Sequence, residues 1–233
     1  MHQPDDARAQ TQQAFEMVPR MWTSERFSYE SDAYRVDDVP ISPKPLQRPH
    51  PPLWQAAASP ASFEEAGRCG VGVLGTTMWE SLERAGRVID LYQAAAGQCT
   101  DPVGAFVNDQ VGFFTFVHCA DTDEEEELVA APDGGGLTGD FLRGEARNAP
   151  TEANLLIARI LQGESVPDEE IFTILSAQDS LIVGSPETCR KKLRAYSELG
   201  IDRMMCLQQI GGIPHDKVLK SIRLIGELIP ELS

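Results

Sequence analysis

Residues 53–77 read LWQAAASPASFEEAGRCGVGVLGTT, and this stretch decides the fold class. The short apolar run 53–58 has the length and composition of a buried strand. Ser59 and Pro60 follow it, a pair typical of a helix start with serine as the N-cap and proline as the first helical residue. The predicted helix 60–68 leads to a second apolar run, 71–74. A strand, a helix and a second strand in this order predict a parallel βαβ unit.

The chain on both sides of this unit continues the alternation. Before it, we expect a helix over 7–22, a short β-like piece over 33–39 and a proline-rich connector within 28–52. After it, we expect helices 79–96, 152–162, 168–175, 185–199 and 216–228, strands 111–119 and 202–208, and a glycine-rich loop over 131–139.

The number of strands bounds the architecture. Four strands are predicted, at 53–58, 71–74, 111–119 and 202–208, and each adjoins an amphipathic helix. A closed (β/α)8 TIM barrel has eight strands in about 250 residues. We therefore predict a single α/β domain over residues 1–233 that is a partial barrel without the early strands. Residues 1–52 supply a helix and the connector, and residues 53–233 supply the later β/α units.

The composition is that of a globular protein with an acidic surface. The chain has 233 residues, 42% of them hydrophobic, and 36 Asp and Glu against 20 Lys and Arg give a formal net charge of −16. This charge disfavours nucleic acid and anionic membranes as partners. No apolar run approaches the ~20 residues of a membrane span, and no secretory signal opens the chain. The five cysteines form no CxxC pair or zinc spacing. We expect a soluble cytoplasmic protein with reduced thiols and no metal site.

Gly70, Gly72 and Gly75 spell G-x-G-x-x-G, the pattern of dinucleotide-binding turns. That turn has to follow a strand and open a helix, whereas here the motif follows a helix and contains the strand 71–74. We interpret the match as coincidence. Gly70 is expected to end the helix, and Gly72 and Gly75 to allow close packing.

Ser59-Pro60-Ala61-Ser62 is the more informative motif. A strand gives way there to a helix N-terminus, so that free N–H groups, the helix dipole and two hydroxyls converge, as in a phosphate site. The alternative is that Ser59 only caps the helix, and the residues taken alone favour that alternative. Ser185-Pro186 repeats the pattern, but Glu187 in the first turn would repel an anion, so capping is expected. None of the four histidines has the spacing of a metal site or a nucleophile signature, and no catalytic residue is assigned.

Three blocks of the chain carry a family resemblance. They are FEMVPRMWTSERFSYESDAYRVDDVPISPKPLQRPHPPLW (15–54), AAASPASFEEAGRCGVGVL (56–74) and IVGSPETCRKKLRAYSELGIDRMMCLQQIGG (182–212). Together they resemble the C-terminal portion of the bacterial luciferase-like family of flavin-dependent oxidoreductases. The resemblance implies a (β/α)8 barrel that binds reduced FMN, or in some relatives the deazaflavin F420, at the carboxyl ends of the strands. It also implies a monooxygenase that uses reduced FMN and O2 on an organic substrate.

The resemblance assigns cofactor-binding positions residue by residue. The serine-rich helix start that binds the flavin phosphate in luciferases maps onto Ser59 and Ser62, and the luciferase glutamate before it maps onto Ala58. The strand end that lies against the flavin ring maps onto Thr76 and Thr77, where luciferase has an aromatic residue at the second position. The family's catalytic histidine belongs to the N-terminal half, to which no part of this chain corresponds.

The expected partners follow from the same resemblance. They are a small organic substrate and a separate reductase that supplies the flavin. An open half-barrel would also leave Leu53, Val73, Phe114, Met205 and Leu207 partly uncovered, which favours a homo-oligomer. Two classes of function stay open: a flavin-dependent oxygenase or F420-dependent oxidoreductase, and a non-catalytic flavin-binding or partner fragment.

Overall fold

The computed structural model describes residues 4–77, 81–123, 155, 156, 159, 162–167, 170, 174, 177–209 and 213–232. The helices are α1 (Pro4–Thr23), α2 (Pro60–Arg68), α3 (Leu82–Ala96), α4 (Pro186–Glu198) and α5 (His215–Leu228), and a 3₁₀ turn (Ile229–Glu231) follows α5. The strands are β1 (Phe27–Glu30), β2 (Arg35–Val39), β3 (Trp54–Ala56), β4 (Gly72–Thr76), β5 (Val111–Cys119), β6 (Ile182–Gly184) and β7 (Arg203–Leu207).

The chain divides into two compact units. The first comprises Met1–Leu74 and Asp90–Gln110, and the second comprises Gly75–Ile89 and Val111–Ser233. In the first unit, β1 and β2 form an antiparallel hairpin. Strands β3 and β4 pair in parallel with α2 between them, which confirms the predicted βαβ unit.

Close packing in the first unit depends on small residues around α2. A Cβ on Gly67 would lie 2.6 Å from the backbone oxygen of Tyr92, so α2 approaches the end of α3 to a distance that only glycine allows. Gly70 has φ +67° immediately after α2, as expected of a helix-ending glycine. A Cβ on Gly72 would lie 2.7 Å from the Trp54 ring. The predictions that Gly70 ends the helix and that Gly72 allows close packing are therefore confirmed.

The second unit is organised around β5. Residues 117–119 of β5 pair in parallel with β6, and residues 112–116 pair in parallel with β7. The N–H of Thr77 donates to the carbonyl of Phe114 at 3.1 Å beyond the end of β4. One buried cluster joins β5 and β6 to α4 and α5, and it contains Val117, Cys119, Ile182, Cys189, Leu193, Tyr196, Ile225 and Leu228. Burial of these side chains is the main source of stability in this unit.

The parallel strand pairs and their intervening helices confirm the α/β class. Within the described residues β3 pairs with β4 alone, so the sheet ends there and does not close into a barrel. Helix α2 and strand β5 have their predicted bounds. The predicted helices 152–162 and 168–175 lie almost wholly outside the described residues, and the loop 131–139 lies wholly outside them.

Three strands and part of the expected exposure differ from the sequence-based predictions. Strands β1 and β6 were not predicted, and β3 is three residues rather than six. Leu53 and Val73 are buried, so the prediction that they are partly exposed is wrong. Other residues of the first unit cover Leu53, and Val73 lies in the middle of β4. Phe114 is half-buried. Met205 and Leu207 on β7 are each 42% exposed, as predicted.

Candidate functional site

The motif Ser59-Pro60-Ala61-Ser62 forms a corner at the carboxyl end of β3. The N–H of Ala57 donates to the carbonyl of Leu74 at 2.9 Å, and the chain then turns directly into α2. Ser59 has the extended backbone of an N-cap, with φ −126° and ψ 153°. Proline at the first helical position has no N–H to leave unpaired, so the sequence starts the helix at low cost.

The two serines of this corner form a reciprocal capping box. The N–H of Ser62 donates to Ser59 Oγ at 3.3 Å, and the N–H of Ser59 donates to Ser62 Oγ at 3.0 Å. Ser62 Oγ also donates to the carbonyl oxygen of Ser59 at 2.8 Å. Ser59 Oγ also lies 3.1 Å from Ser62 Oγ, so that with the Ser62 proton on the Ser59 carbonyl, the Ser59 hydroxyl donates to Ser62 Oγ. A hydrogen bond from Ser59 to an anion therefore requires its proton to turn away from Ser62 Oγ.

The corner is open to solvent and carries no negative charge in the first helical turn. Ala58, Pro60 and Ala61 are exposed, whereas Ser59 and Ser62 are half-buried. The N–H of Ala61 has no acceptor among the described residues, and the first turn of α2 contains no acidic residue. One free amide and the positive end of the helix dipole therefore lie at the exposed start of α2, and both favour a phosphate group.

The N-terminus of α4 provides the contrast. Ser185 caps it, as predicted, but the N–H of Ser185 and the hydroxyl of Thr188 also donate to the carboxylate of Asp123. The hydrogen bond from the Ser185 backbone holds the pKa of Asp123 below its usual value. This helix start is already occupied by an anion of the chain itself. Local sequence patterns do not predict this contact, because Asp123 and Ser185 lie 62 positions apart.

Thr76 and Thr77 belong to the second unit; Thr76 ends β4, and Thr77 follows it. Thr76 is half-buried, whereas Thr77 is fully buried. The hydroxyl of Thr77 donates to the carbonyl of Ser180 at 3.4 Å, and the hydroxyl of Thr115 donates to the same oxygen. Thr77 thus helps to fix the segment before β6, an element that the sequence did not predict.

Other side chains bind the same segment, residues 178–181. The ammonium group of Lys192 donates to the carbonyls of Gln178 and Leu181 at 2.9 and 2.8 Å. Tyr196 donates to the carbonyl of Asp179 at 2.9 Å, and burial raises the pKa of its hydroxyl to about 12. All four backbone carbonyls of the segment are therefore held by side chains from β5, α4 and the end of β4.

The structure brings Ser59 and Ser62 together with Ala58 in the first unit, and it places Thr76 and Thr77 in the second. His50 is buried in the first unit, where Nε2 accepts from the N–H of Ala105 and Nδ1 lies 2.7 Å from the carbonyl oxygen of Pro51. Over the part of the chain that the structure describes, no group of three or more His, Cys, Asp or Glu side chains has the arrangement of a metal site. No helix in that same part has the length and apolar character of a membrane span.

Comparison with known proteins agrees with the resemblance. An FMNH(2)-dependent dimethylsulfone monooxygenase of Pseudomonas putida is 26% identical over 210 residues, which cover 86% of this chain and 53% of the relative. The oxygenase component of a flavin-dependent trigonelline monooxygenase of Acinetobacter baylyi is 23% identical over 231 residues, which cover 98% of this chain and 62% of the relative. The chain thus spans a little more than half of the length of these relatives.

Solved structures share the fold. Monooxygenase RslO1 from Streptomyces bottropensis matches with a TM-score of 0.70 at 23% identity, over 99% of this chain and 63% of that one. Structures with this fold include an FMN complex and F420-dependent enzymes. The family model described as luciferase-like monooxygenase matches residues 2–203. The chain therefore belongs to the luciferase-like monooxygenase family.

Proposed function

We propose that the protein is a flavin-dependent oxygenase that uses reduced FMN and O2 on a small organic substrate, and that this chain supplies the phosphate-binding corner. The observation that carries the proposal is the open helix start at Ser59 and Ser62, with a free N–H on Ala61 and no carboxylate in its first turn. The FMNH(2)-dependent relative supports FMN as the cofactor.

The residues of the corner fit a phosphate group. Ala61 donates through its free amide, and Ser59 donates through its hydroxyl proton once that proton turns away from Ser62 Oγ. Ser62 holds Ser59 in position through the capping box. Ala58 has no charge that would repel the anion. Bound reduced flavin would supply the reaction with O2, whereas these residues bind and orient the cofactor.

Thr76 and Thr77 are proposed to lie along the flavin ring. Support for direct contact is greater for Thr76, because it is half-buried at the end of β4. Thr77 has no exposed surface and binds the Ser180 carbonyl. Its proposed contribution is to fix the backbone beneath the ring.

The partners are part of the proposal. A separate reductase would deliver the reduced flavin, in keeping with the relative described as an oxygenase component. Met205 and Leu207 give β7 an exposed apolar face, which favours a homo-oligomer. The proposed location is the cytoplasm. Light scattering of the purified protein that gives the mass of a monomer at micromolar concentration would contradict the oligomer.

Titration of the purified protein with FMN and with riboflavin tests the phosphate site. We expect S59A and S62A to weaken FMN binding at least tenfold and riboflavin binding much less, because only FMN carries the phosphate. The matched control is S185A, which removes the N-cap serine of α4, where a carboxylate already fills the helix start. Equal losses for FMN and riboflavin, or an equal loss of FMN binding in S185A, would contradict the assignment.

F420 is the alternative cofactor, and the same titration with F420 decides between the two. Binding of FMN with oxygen consumption when reduced FMN and a candidate substrate are supplied supports the oxygenase. If F420 binds more tightly than FMN, the result would favour an F420-dependent oxidoreductase over the oxygenase. Flavin binding without turnover would favour the non-catalytic flavin-binding fragment.

A further inference from the structure

Two cysteines of the first unit, distant in sequence, belong to chain segments that lie next to each other. Cys69 is the C-cap of α2, and Cys99 follows the end of α3. The carbonyl of Cys69 accepts from the N–H of Val103 at 3.0 Å, which fixes the segment after Cys99 alongside the end of α2. A Cβ built on Gly70 would lie 3.0 Å from Cys99 Sγ. The sulfur of Cys99 therefore lies against the residue that follows Cys69.

The exposure of these thiols differs from that of the buried cysteines. Cys69 and Cys99 are each partly exposed, whereas Cys119 and Cys189 are buried. Burial and Glu65 raise the pKa of the Cys69 thiol, and the nearby Cys99 makes a smaller contribution in the same direction. A small oxidant in solution can therefore reach both thiols.

We propose that Cys69 and Cys99 are a redox-sensitive pair that forms a disulfide when the protein meets hydrogen peroxide. The thiolate of Cys99 attacks one peroxide oxygen, the O–O bond breaks, and Cys99 becomes a sulfenic acid as hydroxide leaves. The sulfur of Cys69 then attacks the Cys99 sulfur, and the S–O bond breaks with release of a second hydroxide. The two protons lost by the thiols convert both hydroxides to water, so two thiols are oxidised and one peroxide is reduced.

Glu65 controls the second step. Its Oε1 lies 3.8 Å from Cys69 Sγ and accepts from Gln12 Nε2 at 2.6 Å, so the carboxylate is held beside the thiol. Burial, together with this negative charge, raises the pKa of Cys69 to about 11. Cys69 therefore stays protonated near neutral pH, and Cys99 is the thiol that reacts first. The disulfide would tie the end of α2 to the segment after α3.

Mass spectrometry of the oxidised protein tests the pair. The folded protein is treated with hydrogen peroxide, blocked with N-ethylmaleimide in denaturant and digested with trypsin and Asp-N, which place the two cysteines in peptides 69–84 and 90–100. We expect these peptides to be joined, and the link to be lost in C69S but kept in C206S, the control with a half-buried cysteine of the other unit. Peroxide that leaves both peptides unlinked in the wild type would overturn the proposal.

The ratio of disulfide to over-oxidised Cys99 tests the assignment of Glu65. We expect E65Q to raise this ratio at pH 8 about threefold or more, because a lower pKa gives Cys69 a larger thiolate fraction. The matched variant E64Q removes a neighbouring carboxylate that binds Arg68 at 3.2 Å, and it should leave the ratio unchanged. Equal ratios in E65Q and the wild type would overturn the assignment of Glu65. Neither measurement depends on flavin, so its outcome is separate from that of the FMN titration.

Discussion

The hydroxyl oxygen of Tyr92 lies 3.0 Å from the carbonyl oxygen of Asn108, inside the first unit and out of contact with solvent. The carbonyl oxygens of Val71 and Gln110 lie 3.1 and 3.3 Å from the same hydroxyl. One buried O–H group thus lies within hydrogen-bond distance of backbone carbonyls at the start of β4 and in the segment that leads to β5.

Tyr92→Phe should lower the free energy of unfolding by about 1–2 kcal/mol, because buried carbonyl oxygens lose their donor while the ring stays in place. Tyr34→Phe is the control, since the half-buried Tyr34 has no hydroxyl hydrogen bond within the described residues. Urea denaturation measures both. Equal midpoints for Tyr92→Phe and the wild type would show that the hydroxyl contributes nothing.

Two helical glycines should respond to alanine in opposite directions. Gly67→Ala places a methyl group 2.6 Å from the Tyr92 backbone oxygen, and we expect the free energy of unfolding to fall by about 1–3 kcal/mol. In Gly226→Ala the new methyl group has no neighbour within 4 Å, and we expect the free energy of unfolding to rise by up to about 1 kcal/mol because alanine has the higher helix propensity. Thermal unfolding of the two variants provides the comparison, and a stabilised Gly67→Ala would contradict the close approach of α2 and α3.

Asp123 should make part of the stability depend on acid pH. Its pKa is lower in the folded protein than the ordinary 3.8, so the stabilisation is complete above about pH 5 and disappears as the pH falls through the folded pKa. Asp123→Asn should therefore be less stable than the wild type at pH 7, and the difference should shrink at pH 3. Asp90→Asn, at an exposed position of α3, is the control. If the difference in stability between Asp123→Asn and the wild type stays constant with pH, the ionised carboxylate of Asp123 is not its cause.

Lys192 should hold the segment 178–181 in place. Burial lowers the pKa of its ammonium group, and two backbone carbonyls accept its protons. Lys192→Met keeps the aliphatic part of the side chain but removes these donors. We expect amide hydrogen exchange in this segment to become about five- to tenfold faster. Lys191→Met, at the exposed neighbouring position, should leave the exchange unchanged.

Local signals in the sequence were sufficient for the first half of the candidate site. Ser59 and Pro60 specify where α2 begins, and Gly70 specifies the turn that ends it, so the predicted helix 60–68 has the bounds of α2. The capping box at Ser62 also lies within four residues of sequence. Each of these features depends on neighbours in the chain, which is why propensity and spacing predict them.

The second half of the site depends on contacts that are distant in sequence. Strand β6 has three residues, too few for a periodic signal, and it is a strand because 117–119 lie beside it. The family resemblance predicts that Thr77 contacts the flavin ring, yet its hydroxyl donates to the carbonyl of Ser180, 103 positions away. The burial of Leu53 and Val73 likewise arises from tertiary packing, which an analysis of strands alone does not include.

The stacking of His50 on Phe106 has a spectroscopic consequence. Their ring centroids are 5.0 Å apart with an angle of 15° between the planes, and Trp22 lies 6.3 Å from the imidazole. Ring currents should move the imidazole carbon-bound protons of His50 upfield, away from those of the other three histidines. That resonance would report on the folding of the first unit alone, in the intact chain and without any label.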